Sequence, residues 1–364
     1  MAFNHPGYTE WLAAETKLDA MPPLKRPAAS TPSSKRRTRK TSTSLTLSIE
    51  DFHQLGDFAE AGLEAVRLAL ERADKALSDG RVPISGAAVE MKKTGALHVV
   101  AVGQNGRIPP LPSEETGYPT DHGETAAIRE IEDVSKVDWS QVVFATSLSP
   151  CVMCGAALTW LWSLGLRRIV VAESLNFSGT ADMLAKLDGM TVVRLSSVKA
   201  QSMMMKFSTK YPWDWAADIG EIPPSDLKFS QSLEERSESL RVLMAKMQSL
   251  MTPKGHVHCI AAVVSAKGIH ASAEDERSQS GGNETRSAVM LAMGQAGSQV
   301  NLRECVLVFM APGTVETNLD DFGSVSIGAC KLFRPAKVVV TAPPVDELRA
   351  SLEGAGIPVL VADT

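Results

Sequence analysis

His122-Gly123-Glu124, followed further along by Pro150-Cys151-Val152-Met153-Cys154, is the stretch that decides the reading of this chain. One His and two Cys make a tetrahedral zinc site with one corner open. Cys151 and Cys154 are three apart, so at the start of a helix both thiols face one side. The free N–H groups of that helix end favour the thiolate form a metal needs. Pro150 suits the entrance because it needs no hydrogen-bond partner. His122 stands at the start of a second helix, so two helix ends can meet at one ion. Glu124 is poorly placed to share the metal face, but it can reach a water in the open corner. A carboxylate there can move a proton from water to a ring nitrogen and then to a leaving amine. His-x-Glu alone, or Cys-x-x-Cys alone, would be weak. In this order, on two helices joined by a strand, they form the zinc-deaminase signature.

The flanking sequence builds the frame for these two helices. Residues 59–78 have helical periodicity, with Leu63, Val66, Leu68, Leu70 and Ala73 on the apolar side. Residues 83–91 and 97–102 read as a hairpin around 92–95. Helices follow at 123–134 and 151–164, with an apolar strand at 142–146 between them. Strands at 168–171 and 191–195 flank a short helix at 181–187, and 197–210 reads as a closing helix. Alternating strands and helices imply a mixed sheet covered on both faces.

After Pro223, Pro224 and Ser225 the pattern starts again. A helix is expected at 233–251, a hairpin at 256–264 and 269–272, and a helix at 284–296. Strands at 305–310, 337–341 and 358–361 and a helix at 345–355 complete the series. Gly123-Glu124-Thr125 echoes Asn283-Glu284-Thr285, and Arg168-Ile169-Val170-Val171 echoes Lys337-Val338-Val339-Val340. The chain reads as two copies of one fold, with 1–48 as a basic tail, 49–224 as the first copy and 228–364 as the second.

Composition narrows the setting. The 364 residues are 44% apolar and 22% charged, with a formal net charge of −5. That is room for two ordinary cores. Residues 21–49 hold seven Lys or Arg and no acid, which leaves −12 for the remainder. The folded part is therefore acidic and a poor general phosphate binder. The run Lys35-Arg36-Arg37-Thr38-Arg39-Lys40 reads as an import signal, a nucleic-acid tether or a solvated tail, so the expected location is cytoplasmic, nuclear or both. No membrane span and no secretory leader are expected.

Beyond the zinc motif, residues 57–222 resemble the fungal cytosine deaminases within the cytidine deaminase-like superfamily. The resemblance rests on Leu148-Ser149-Pro150-Cys151-Val152-Met153-Cys154, on Glu173-Ser174-Leu175-Asn176-Phe177, and on Pro212-Trp213-Asp214-Trp215-Ala216-Ala217-Asp218. It implies a three-layer α/β/α fold with a mixed sheet, present twice here, and one Zn²⁺ held by His122, Cys151 and Cys154. Glu124 would be the catalytic acid–base. Substrate contacts would come from Asn105 to the base carbonyl, the Gly123 N–H, the Ser149 carbonyl to the amino group, Phe177 and Trp215 against the ring, and Asp218 to the exocyclic amine. The implied reaction is cytosine to uracil plus ammonia, a pyrimidine-salvage step.

Two departures bear on that reading. The stretch 106–121 is longer than in the family and borders the pocket. The family is a single domain, commonly a homodimer, whereas this chain carries a second copy. In that copy Gly282 aligns with His122 and Glu284 with Glu124, and no Cys-x-x-Cys follows. It reads as a pseudo-deaminase domain that packs on the first as an intramolecular pseudo-dimer, with further homodimerisation left open. Cys259, Cys305 and Cys330 read as buried apolar residues. Alternatives remain: a nucleoside, nucleotide, other amino-heterocycle or RNA base as substrate, RNA being disfavoured by the acidic surface, or a zinc-stapled scaffold without activity.

Overall fold

The computed structural model describes residues 49–108, 117–220, 259–265, 268–298, 300–311, 317 and 319–361. The basic run at 35–40, the boundary residues Pro223, Pro224 and Ser225, the helix expected at 233–251 and the first residues of the strand expected at 256–264 lie outside the described residues.

A run of 3₁₀ turns, Ile49–Phe58, leads into α1 (Ala59–Ser78). The hairpin β1 (Ser85–Met91) and β2 (Leu97–Gln104) is followed by α2 (Gly123–Arg129), β3 (Val142–Thr146), α3 (Val152–Ser163) and β4 (Arg168–Val171). Then come α4 (Ala181–Leu184), β5 (Thr191–Arg194), α5 (Val198–Lys210) and α6 (Pro212–Asp218). The sheet runs β2-β1-β3-β4-β5. β1 is antiparallel to both neighbours, and β3, β4 and β5 are parallel. Side-chain alternation along β3 divides its two faces. Val143 and Ala145 join the cluster under α1, while Val142 and Phe144 join the one around α2 and α3.

The second half repeats this plan. Its elements are β6 (Ile260–Ser265), β7 (Gly268–Glu274), α7 (Ala288–Gln295), β8 (Val306–Met310), α8 (Leu319–Phe322), α9 (Ser324–Phe333), β9 (Lys337–Val340), α10 (Asp346–Glu353) and β10 (Val359–Val361). The sheet order is β10-β9-β8-β6-β7, the same path as the first sheet. Even the irregularity of the hairpin recurs, at Ala88/Val89 in β1 and at Val263/Val264 in β6. Two mixed five-stranded sheets of one topology thus give the α/β fold twice, as the sequence pattern implies.

The differences from the sequence reading have physical causes. On α1 the buried stripe is mostly alanine: Ala61, Ala65, Ala69, Ala73 and Ala76 with Val66 and Leu70. Leu63 and Leu68 are only partly buried, because small residues let the helix lie close on the sheet. The helix expected over 284–296 is divided into a 3₁₀ turn, Glu284–Arg286, and α7. Asn283 and Ser287 each cap the turn that follows, so two stop–start signals lie where periodicity alone sees one helix. Helix α9 was not expected. Almost every residue from Val325 to Phe333 is buried, so it has no amphipathic stripe to read.

The two copies share a core. One continuous apolar cluster takes in Phe144, Leu158 and Ile169 of the first copy and Leu307, Phe309 and Val338 of the second. At its centre α3 meets α9. A Cβ added at Gly328 would lie 2.9 Å from the Ala156 Cβ and 3.0 Å from the Met153 Cα, so the two helices are in close contact here. Polar contacts ring this apolar centre. Asn283 Nδ2 donates to the Ile128 carbonyl at 2.9 Å, Arg286 Nη2 to that of Arg129 at 3.0 Å, and the Ser298 N–H to that of Gly117 at 2.8 Å.

Candidate active site

The sheet delivers two helix N-termini to one point. Gly123 sets the first: a Cβ there would lie 2.3 Å from the Ser85 Cα, so only glycine lets α2 begin this close to β1. His122 is the N-cap of α2, in extended conformation, and its N–H donates to Thr125 Oγ1 at 3.0 Å. Cys151 is the N-cap of α3, also extended, and Cys154 lies in the first turn. All three residues are buried, and one ligand atom from each lies within 4.8 Å of the others. His122 Nδ1 is 3.3 Å from Cys151 Sγ. Zinc ligands at bond lengths of about 2.0–2.3 Å in a tetrahedron stand roughly 3.5 Å apart, so the cluster fits the ion. The donor chemistry fits as well. One imidazole and two thiols are the nitrogen and sulfur donors that zinc takes, and against the opposing effect of burial Cys154 and His122 hold the Cys151 thiol well below the usual range.

Glu124 sits in the first turn of α2, buried beside the cluster. Its Oε1 is 2.5 Å from Thr146 Oγ1, which is also 2.6 Å from the Leu148 carbonyl oxygen. The hydroxyl has one proton for two acceptors, so both contacts are satisfied together when the carboxyl supplies a proton of its own. Burial, and then Cys151, raise the Glu124 carboxyl to about 7, where it can both take and give a proton near neutrality.

Asp218, at the end of α6, is 1% exposed. Its Oδ1 accepts from Asn105 Nδ2 at 2.7 Å and stands 3.5 Å from His122 Nε2. Its Oδ2 is buried with no hydrogen-bond partner. Asn105 follows β2 and uses its Oδ1 to accept from the Arg107 N–H at 3.0 Å. The structure therefore joins His122, Cys151, Cys154, Glu124, Asn105, Gly123 and Asp218 in one place. Ser149 is buried on the loop into α3, its N–H bonded to the Glu173 carbonyl at 3.0 Å. Phe177 and Trp215 pair edge to face with centroids 5.9 Å apart, packed on the cluster of Leu148 and Phe207. Phe177 also packs on the apolar cluster that contains Cys151 and Cys154. Three site residues escape a reading of the sequence: Thr146, which carries no motif of its own, Arg107, and Phe333 of the second copy, whose ring stands edge-on to the His122 imidazole.

The second copy has a different arrangement at the matching place. Helix α7, which packs on β6 and β7 as α2 packs on β1 and β2, begins after Ser287. Ser287 thus stands where His122 does, and the match of Gly282 with His122 and of Glu284 with Glu124 is corrected. The local Asn-Glu-Thr echo is outweighed by the cap at Ser287. Counting from the helix caps, Gly323 and Ser326 stand for Cys151 and Cys154. Ser287 Oγ meets Ser326 Oγ at 2.7 Å. Glu284 reaches this point from the preceding turn: a Cβ on Gly323 would lie 2.6 Å from its Oε2 and 3.5 Å from Arg277 Nη1. Arg277 Nη1 bonds Glu284 Oε1 at 2.9 Å, and its Nε bonds Asp275 Oδ2 at 2.8 Å. Asp275 follows β7 as Asn105 follows β2, each donating its N–H to the residue before the first hairpin strand.

The family described as the cytidine and deoxycytidylate deaminase zinc-binding region matches residues 60–173. A protein of Candida albicans named cytosine deaminase is 31% identical over 159 residues, covering 43% of this chain and 96% of that protein. Among solved structures, a guanine deaminase from Nitrosomonas europaea is 21% identical, with 42% of this chain and 84% of that chain covered and a TM-score of 0.30. A structure from work on A-to-I editing by tRNA:A34 deaminases is also 21% identical, with 40% and 99% covered and a TM-score of 0.26. The matched region contains all three members of the buried His–Cys–Cys cluster, and the chain belongs to the zinc-dependent cytidine deaminase-like superfamily.

Proposed function

We propose that the chain hydrolytically deaminates a nucleobase, cytosine to uracil plus ammonia, at the site around Glu124. The observation that carries the base reading is Asp218: a buried carboxylate oxygen without a partner, beside His122, is an acceptor waiting for an N–H group. The similarity to a cytosine deaminase supports cytosine among the amino-bearing bases.

His122, Cys151 and Cys154 would hold the zinc, which when bound would supply the Lewis acid that lowers the pKa of water from about 16 towards 7. Glu124 takes a proton from the attacking water, gives it to the ring nitrogen next to the amino-bearing carbon, and later carries a proton to the departing ammonia. Thr146 holds the carboxyl for this work and shares its hydroxyl proton with the Leu148 carbonyl. Asp218 accepts from the exocyclic amine, while Asn105, expected at the base carbonyl, donates from its Nδ2 to one Asp218 oxygen and accepts at its Oδ1 from the Arg107 N–H. The Phe177–Trp215 pair supplies the flat apolar wall.

The second copy, residues 228–364 beside a first copy at 49–224, acts in this proposal as a non-catalytic partner in a pseudo-dimer. Ser287, Gly323 and Ser326 offer no thiolate and no imidazole, and an Arg277–Glu284 pair fills the place of the ion. The test is ammonia release from a panel of free bases, nucleosides and short RNAs. Turnover of cytosine with little on the corresponding nucleoside is the expected result. Turnover confined to RNA or to nucleosides would refute the free-base reading.

A further inference from the structure

A side chain of the second copy stands at the site of the first. Phe333, the last residue of α9, is 5% exposed. Its ring and the His122 imidazole are perpendicular at 89°, with centroids 6.4 Å apart. The Arg107 guanidinium carbon lies 5.7 Å from the centroid of the same ring. Arg107 is tied to the site through its N–H on Asn105 Oδ1, and Asn105 holds Asp218. The neighbouring residue has a second task. Gly220, two residues after Asp218, has a φ of +72°, and a Cβ there would lie 2.4 Å from the Leu332 carbonyl oxygen. Arg303 donates to the Gly220 carbonyl. The end of α6 is thus held by the second copy on both sides.

A metal-ligating imidazole is ordinarily kept in plane by a hydrogen bond from its other nitrogen. Here His122 Nδ1 faces the Cys151 thiol, while Nε2 is buried and makes no hydrogen bond, Asp218 Oδ1 standing 3.5 Å away. The plane of the ring is left to this loose Asp218 contact and to packing, and Phe333 is an aromatic residue packed against it. The geometry points to Phe333 as a positioning residue: a side chain of the second copy that fixes the His122 ring and the Arg107 guanidinium, and through Asn105 the Asp218 carboxylate. This rests on the deaminase reading for its kinetic arm alone.

The test uses the full chain loaded with cobalt(II) or zinc, comparing wild type with Phe333→Ala and Phe333→Leu. For Phe333→Ala, loss of metal to a chelator should be about tenfold faster and kcat/KM for cytosine about tenfold lower, the size seen when groups that orient a ligand are removed. The visible bands of the cobalt protein should shift, and Phe333→Leu, which keeps bulk without a ring, should fall between. Wild-type bands and metal-loss rate in both variants would overturn the role, even with a lowered thermal midpoint. If Phe333→Ala does not fold, Phe333→Leu decides on the same readouts. A wild-type chain that releases no ammonia would defeat the functional reading, and the cobalt bands and metal-loss rate would still decide the role of Phe333.

Discussion

Asn105 Nδ2 donates to Asp218 Oδ1 at 2.7 Å across 113 residues of chain, and the other Asp218 oxygen is left buried and unbonded. A folded protein tolerates such an oxygen when something else supplies its proton. Asp218→Asn keeps the shape and replaces that acceptor by a donor. Hydrogen bonds to charged groups contribute about 1.5–3 kcal/mol, so kcat/KM should fall roughly 10- to 100-fold. The thermal midpoint should change little or rise. Steady-state kinetics with a melting curve checks this, and a collapse of folding without a selective kinetic effect would make Asp218 a structural residue.

Metal content gives the second prediction. With one His–Cys–Cys cluster among the described residues and two serines and a glycine at the matching place in the second copy, the chain should bind one zinc. Cys154→Ser should bring this close to zero, and a chelator should abolish turnover until zinc is restored. Elemental analysis of purified protein decides it, with two zincs per chain, or none in active protein, as contrary results.

Much of this was legible in the sequence, because the site is built from residues with unusual chemistry at fixed spacing. His122, Glu124, Cys151 and Cys154 stand at helix starts, where caps and turn residues mark the chain. The repeat was legible from strand patterns such as Lys337–Val340. What stayed hidden was apolar or chemically ordinary. Helix α9 is buried nearly all round and has no period to read. Phe333 is one phenylalanine among ten, and only the docking of two copies brings it to His122. The Glu284 match failed because a three-residue echo ignores where the helix is capped.

In the second copy, Arg277 neutralises a buried Glu284 at 2.9 Å and is itself held by Asp275. Burial pushes the Glu284 carboxyl up against the pull of Arg277. Arg277→Met should therefore destabilise the protein by about 3–5 kcal/mol, as one partner of a buried pair is lost. The double variant Arg277→Met/Glu284→Gln should recover much of this. Denaturant titration of the three proteins tests it, and equal stability of single and double variants would contradict a coupled pair.

The central claim is that Glu124 moves protons for a deamination supported by bound zinc. It is tested most directly by measuring ammonia released from cytosine by wild type and Glu124→Gln, with zinc quantified in the same samples. The substitution keeps the size of the side chain and leaves the three ligands in place. Equal zinc in both proteins, with turnover lower by at least ~10²-fold in Glu124→Gln, is the predicted result. Equal zinc with equal ammonia release, or no release by the zinc-loaded wild type, would contradict the account.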